Sequence, residues 1–248
     1  MRSLFLLNIG NTHTVGGCWC CGRLEIVLRT PTSGVISGAA LGELCSQVKG
    51  APCLCACVVP EARASLMGCR WDAELRFLSA EIVEEVGFAG VDVTTLGADR
   101  VANAVAAVAL VGAPSIVLDC GTAITTEVID GRRRFLGGTI MPGRRLLREA
   151  LHRHTGQLPL VDLRDTLVGP VGTNTRDAIL AGGDGGAVGA VKAVVRRARE
   201  HVGDDDCPVV VVGGDAPFFL RHVPGLAAGG EDFTLQGLAT TAKRLFGR

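Results

Sequence analysis

The stretch LFLLNIGNTHTVGGCW, residues 4–19, decides the fold together with its weaker echo SIVLDCGTAITTEVID, residues 115–130. Each is an apolar run ending in a polar residue, then a Gly/Thr turn, then more β-type sequence. Asn8 and Asp119 hold equivalent places, and Gly10 and Gly121 follow two residues later. Apolar runs bounded by turn residues read as buried strands. A glycine at the turn lets the backbone approach a ligand closely, exposed N–H groups supply donors, and a threonine hydroxyl adds another, so such a turn suits a phosphate. One copy alone is also an ordinary hairpin turn. Two copies a domain apart point to paired phosphate-handling turns.

Working outward, DRVANAVAAVALV from Asp99 to Val111 has the Ala/Val richness of a buried helix, and a second helix is expected over Arg176–Arg199, broken or entered at the Gly182–Gly189 cluster. The strand-like CPVVVVGG follows it. Strands and helices alternate on both sides of Gly112–Pro114, which predicts an N-terminal α/β half over 1–113 and a C-terminal one over 114–248. With 248 residues, the chain is long enough for two modest cores and a cleft between them.

Lys plus Arg and Asp plus Glu are equal at 25 each, so no global field draws the chain to nucleic acid or an anionic membrane. The apolar stretches are interrupted well short of a bilayer span, which is about 20 residues, and the N-terminus carries a motif, so a cytoplasmic protein is expected. The ten cysteines are then read as reduced. Cys53, Cys55 and Cys57 alternate along one strand face and read as core; Cys18 and Cys21 have C-x2-C spacing, but no second such pair completes a zinc site.

Three further elements carry chemistry. In LGADRVANAVAA, residues 96–107, Asp99 and Arg100 stand at a helix start. An Asp there also serves as an ordinary N-cap, but in a cleft it would be a general base beside a guanidinium clamp. GGDAPFF, residues 213–219, follows a strand, where Gly213 and Gly214 would let a nucleotide lie against the backbone. Arg144, Arg145 and Arg148 read as an exposed helix face or dimer edge, Arg132–Arg134 as a solvated hairpin tip, and His152 and His154 as surface or interface histidines.

NIGNT at 8–12, GADRVANA at 97–104, DCGTAIT at 119–125, GGTIMPG at 137–143, QLP at 157–159, GTNT at 172–175 and the Gly213–Gly214 strand end occur in one order along nearly the whole chain. In that order they resemble the type III pantothenate kinases, of the acetate kinase/actin/Hsp70-type superfamily. The resemblance implies two similar ribonuclease H-like α/β halves of the actin-like ATPase fold, and ATP-dependent phosphorylation of pantothenate to 4'-phosphopantothenate, the first step towards coenzyme A. It implies Asp99 as proton acceptor, with Gly97, Ala98, Arg100 and Thr175 on the acceptor substrate. Asn8, Ile9, Gly10, Asn11, Thr12, His13, Thr14 and Val15 would lie along the ATP phosphates, and Thr122 would also contact ATP. Asp119 is similar to the family's ligand for K+ or NH4+, and a homodimer using ATP with Mg2+ or another divalent cation is implied.

The chain departs from the family pattern at three places. Asn8 replaces an Asp that helps hold the metal, which removes a negative charge and should lower metal affinity. The family has a Tyr upstream of the G-A-D-R element, and this chain has none. Thr173 occupies a place that is often basic. A second reading follows, a catalytically weakened member acting as a ligand-binding or regulatory protein, with Asp215 a candidate to replace the lost carboxylate. Retention of Asp99, Arg100, Asp119 and Thr122 favours the active kinase.

Overall fold

The computed structural model describes residues 3–164, 169–230 and 232–247. The chain runs β1 (Leu4–Ile9), β2 (His13–Cys20), β3 (Arg23–Pro31), α1 (Thr32–Ile36), α2 (Leu41–Val48), β4 (Cys53–Cys57), α3 (Pro60–Met67), β5 (Leu75–Phe77), β6 (Gly87–Phe88) and α4 (Ala98–Leu110). It continues as β7 (Ser115–Cys120), β8 (Ala123–Ile129), β9 (Arg134–Gly137), β10 (Ile140–Pro142), α5 (Arg144–Arg153), α6 (Thr175–Val202), β11 (Val209–Val212), α7 (Ala216–His222), β12 (Leu226–Ala228) and α8 (Phe233–Leu245).

Two compact units result. The first gathers Met1–Ser115, Ile129–Leu136 and Asp232–Arg248, and the second Ile116–Val128 and Gly137–Glu231. The first holds a five-stranded sheet in the order β3-β2-β1-β4-β5, antiparallel on the β2 and β3 side and parallel from β1 to β5. In the second unit, β8, β7, β11 and β12 are neighbours in that order, with β7, β11 and β12 parallel. This repeats the β2-β1-β4-β5 arrangement, so the internal echo of the sequence is an echo of topology. Both sheets carry their Gly/Thr turn directly after the first strand of the repeat.

The continuous apolar run of β1 has the character of a strand covered on both faces. Phe5, Leu7 and Ile9 join Cys53, Cys55, Leu44, Ala62 and Leu66 in one core cluster, where the strand cysteines act as small hydrophobes. α8 packs on β1, β4 and α4. Gly237 makes the α4–α8 crossing close, since a Cβ there would sit 2.0 Å from the Ala102 carbonyl oxygen. Thr234 donates to Asn103 Oδ1 at 2.8 Å across the same crossing. All ten cysteines are free thiols.

The helix expected to break at Gly182–Gly189 is instead the uninterrupted 28-residue α6. Each interior glycine costs roughly 0.5–1 kcal/mol of helix propensity relative to Ala. Burial of Ile179, Leu180, Ala187, Val191 and Val195, and the salt bridges of the buried Asp184, hold the helix through the glycines. By length and composition α6 also matches a membrane span. Within it, Asp184 is buried and ion-paired with Arg144 and Arg148, and the helix packs on α5.

Candidate active site

In the first unit, Asn8 and Ile9 end β1, and the turn they enter is anchored from the start of α1. Thr32 donates from Oγ1 to the Gly10 carbonyl at 2.7 Å, its N–H donates to the Thr12 carbonyl at 3.0 Å, and its hydroxyl meets that of Thr14 at 3.1 Å. Gly10 N–H closes the turn on the His13 carbonyl at 3.0 Å. Asn11, Thr12 and His13 are exposed, Gly10 and Val15 are half-buried, and Ile9 and Thr14 are fully buried within the sheet. Thr32, which the sequence analysis does not single out, is the side chain that sets this turn. Its only sequence signal is a Thr at the end of a strand.

Asn8 Oδ1 is buried and has no hydrogen-bond partner among the described residues. A buried acceptor left open costs free energy unless a ligand or ordered water supplies a donor. That orphan atom fits a nucleotide turn in which a metal-bound water completes the contact. Among the described residues no group of three or more His, Cys, Asp or Glu side chains could hold an ion. Mg2+ commonly takes one or two protein ligands and completes its shell with water and substrate phosphates, so this chain's donor set suits a metal carried with the nucleotide.

Also in the first unit, Asp99 lies in the first turn of α4, where the helix dipole favours a negative charge. The N-cap is Gly97, not Asp99, and it makes no side-chain cap bond. Asp99 Oδ1 instead accepts from the Arg100 N–H at 2.8 Å. Burial pushes the Asp99 carboxyl above its ordinary value, and the Arg100 N–H and guanidinium only partly offset this. A Cβ at Gly97 would lie 2.7 Å from Asp99 Oδ1, so any side chain there would have to turn the carboxylate aside. The Arg100 guanidinium stands 5.6 Å from the Phe135 ring centre. A half-buried carboxylate with a raised pKa, aimed from a helix start, is suited to accept a proton.

In the second unit, Asp119 ends the polar side of β7, and Thr122 lies in the following turn. The Gly213–Asp215 turn after β11 is bound to it: Asp215 N–H donates to the Cys120 carbonyl at 2.9 Å. Gly213 has φ of +90°, and a Cβ there would meet Asp119 Oδ1 at 2.6 Å and the Cys120 oxygen at 2.5 Å. Only glycine fits on both counts. Asp215 Oδ1 accepts from Arg144 at 2.7 Å. Thr175 is the first residue of α6 and lines a groove of about 750 Å3 with Met141, Leu147, Leu151 and Ile179.

The arginines of α5 depart from the surface reading. Arg145 is exposed, but Arg144 and Arg148 are buried, both paired with Asp184 of α6. The partner lies 40 residues from Arg144, beyond the reach of local pattern. The one signal was a lone charge in the Gly/Ala run AGGDGGAVGA. His152 and His154 are exposed, as is the Arg132–Arg134 tip, which Asp130 closes by accepting from the Arg132 and Arg134 N–H groups.

Two sheets of repeated strand order, each with a Gly/Thr turn after its first strand, define a protein of the actin-like ATPase and sugar-kinase fold. Solved structures agree on the fold: a Baf family protein of Campylobacter jejuni aligns at TM-score 0.66 and 17% identity, covering 99% of this chain and 100% of that one. MreB5 of Spiroplasma citri bound to ADP aligns at TM-score 0.57 and 12% identity, covering 99% and 97%. The chain belongs to the type III pantothenate kinase family, whose sequence profile matches residues 4–197. The type III pantothenate kinase of Rubrobacter xylanophilus is 33% identical over 95% of each chain, and that of Thermomicrobium roseum 31% over 98% of this chain and 97% of its own.

Proposed function

We propose that the protein transfers the γ-phosphoryl group of ATP to the primary hydroxyl of pantothenate, giving 4'-phosphopantothenate and ADP, the first step towards coenzyme A. The observation that carries it is the match of GADRVANA, within a chain of this family, to the first turns of α4, with Asp99 raised in pKa and half-buried there. Phosphoryl transfer asks the protein for positioning and charge neutralisation more than covalent chemistry, so two Gly/Thr turns, one base and a metal suffice.

In this reading Asp99 accepts the hydroxyl proton as the oxygen attacks the γ-phosphorus. Gly97, Ala98, Arg100 and Thr175 orient pantothenate, Arg100 by pairing with its carboxylate. Asn8 to Val15 and Thr122 hold the ATP phosphates, the backbone N–H groups and hydroxyls doing most of the work. Asp119 binds K+ or NH4+. A divalent ion, when bound with ATP, neutralises charge on the β- and γ-phosphates. The anchored turn around Gly10 and the open acceptor of Asn8 support the phosphate role.

The enzyme is cytoplasmic and a homodimer in this account. The dimer is supported by the apolar groove between α5 and α6, in whose lining Leu151 is exposed. Coupled ADP release with ATP, Mg2+ and K+ tests the function. Turnover that requires pantothenate supports it. A wild type silent with pantothenate, beside an active Asn8→Asp variant, would identify a disabled kinase, and silence in both would favour a ligand-binding role.

A further inference from the structure

Arg144 is the first residue of α5, and its side chain is only 2% exposed. Nε and one terminal nitrogen grip both oxygens of Asp184 at 2.9 and 2.8 Å, and the other terminal nitrogen donates to Asp215 Oδ1 at 2.7 Å. The guanidinium carbon lies 3.5 Å from the Phe218 ring centre. Asp184 is also held by Arg148, at 2.8 and 2.9 Å. Removing Arg144 therefore leaves Asp184 paired, while Asp215 loses this ion pair.

A buried network of two arginines and two carboxylates is weak as a stabiliser, because desolvation takes back much of the Coulombic gain. Its geometry is what it supplies. Next to Arg144, the Gly143 N–H donates to the Thr122 carbonyl at 2.9 Å. The start of α5 thus reaches two turns at once, the Asp119–Thr122 turn through backbone and the Gly213–Asp215 turn through Arg144. Asp215 N–H, bonded to the Cys120 carbonyl, joins those turns to each other. Both turns follow the carboxyl ends of parallel strands, where α/β sheets bind ligands.

We infer that Arg144 is a positioning residue for the nucleotide: it fixes the Gly213–Asp215 turn against the Asp119–Thr122 turn, so that its loss weakens ATP without weakening pantothenate. The inference rests on the kinase reading of these turns. A lysine cannot replace Arg144, since one ammonium cannot hold Asp184 through two parallel bonds and reach Asp215 while stacking on Phe218.

The test combines calorimetric binding of Mg-ADP with steady-state kinetics, for the wild type, Arg144→Lys, Asp215→Ala, Asp215→Asn and the double variant Arg144→Lys/Asp215→Ala. Arg144→Lys and Asp215→Ala each weaken ADP and raise KM for ATP about tenfold, and KM for pantothenate stays within about twofold. The double variant is little worse than either single one, as expected of two groups acting through one contact. Asp215→Asn keeps an acceptor for Arg144 and loses only about threefold. Unchanged ADP affinity in both Arg144→Lys and Asp215→Ala, or an equal rise in KM for pantothenate, overturns the inference, and so does a wild type that binds no ADP. A wild type that binds ADP but turns over no pantothenate refutes the kinase reading, and the ADP arm then still decides on Arg144. If Arg144→Lys does not fold, Asp215→Ala decides, its side chain being 20% exposed.

Discussion

Burial makes the Asp99 carboxyl harder to ionise than the ordinary 3.8, and a raised pKa has a definite sign in the kinetics. Below that pKa Asp99 is protonated and cannot accept a proton, so kcat/KM for pantothenate rises with pH through an acid limb centred above 3.8. The folded state binds this proton more tightly than the unfolded chain does, so Asp99 contributes stability at low pH that is lost as pH rises through the folded pKa. Asp99→Asn is accordingly expected to abolish turnover while melting at or above the wild-type temperature at pH 7, by calorimetry. At Asn8 the sign is opposite: Asn8→Asp restores a charge at the open acceptor and lowers the half-saturating Mg2+ concentration about threefold or more in the ADP-release assay. No change would remove Asn8 from the metal's surroundings. These two residues were legible because they sit in motifs whose spacing survives in sequence. Arg144 was not, because RRLLREAL reads locally as a surface helix and its carboxylate partners lie on two later elements.

The tightest constraint on an element is the crossing of α4, which carries Asp99, with α8. A methyl group at Gly237 would overlap the Ala102 carbonyl, so Gly237→Ala must push the helices apart. It should cost at least about 1–3 kcal/mol in urea unfolding, with an unchanged m value, and more than any gain from alanine's helix propensity. An equal or higher midpoint would show that the crossing is looser than this. The existence of α4 and of β1, β7 and β11 was legible from composition, because runs of Leu, Val and Ala bounded by Gly and Pro leave few alternatives. The continuity of α6 was not. Glycine propensity argues for a break, and only the Asp184 ion pairs and its buried aliphatic stripe, both tertiary, override it.

At the scale of the molecule, the repeated NIGNT and DCGTA turns announced two halves, and the strand order β2-β1-β4-β5 recurring as β8-β7-β11-β12 is their physical content. The return of residues 129–136 and 232–248 to the first unit could not be read in advance, since it depends on β9 pairing with β6 and on α8 packing against α4 and β1. Light scattering should give twice the 25.7 kDa chain mass, falling to the single mass in Leu151→Asp if the α5–α6 groove is the dimer contact. The central claim, a kinase for pantothenate with Asp99 as its base, is tested most directly by following labelled γ-phosphoryl from ATP. Label appearing in 4'-phosphopantothenate with the wild type, and absent with Asp99→Asn, is the predicted result; label released only as inorganic phosphate, or transferred equally well by Asp99→Asn, would contradict it.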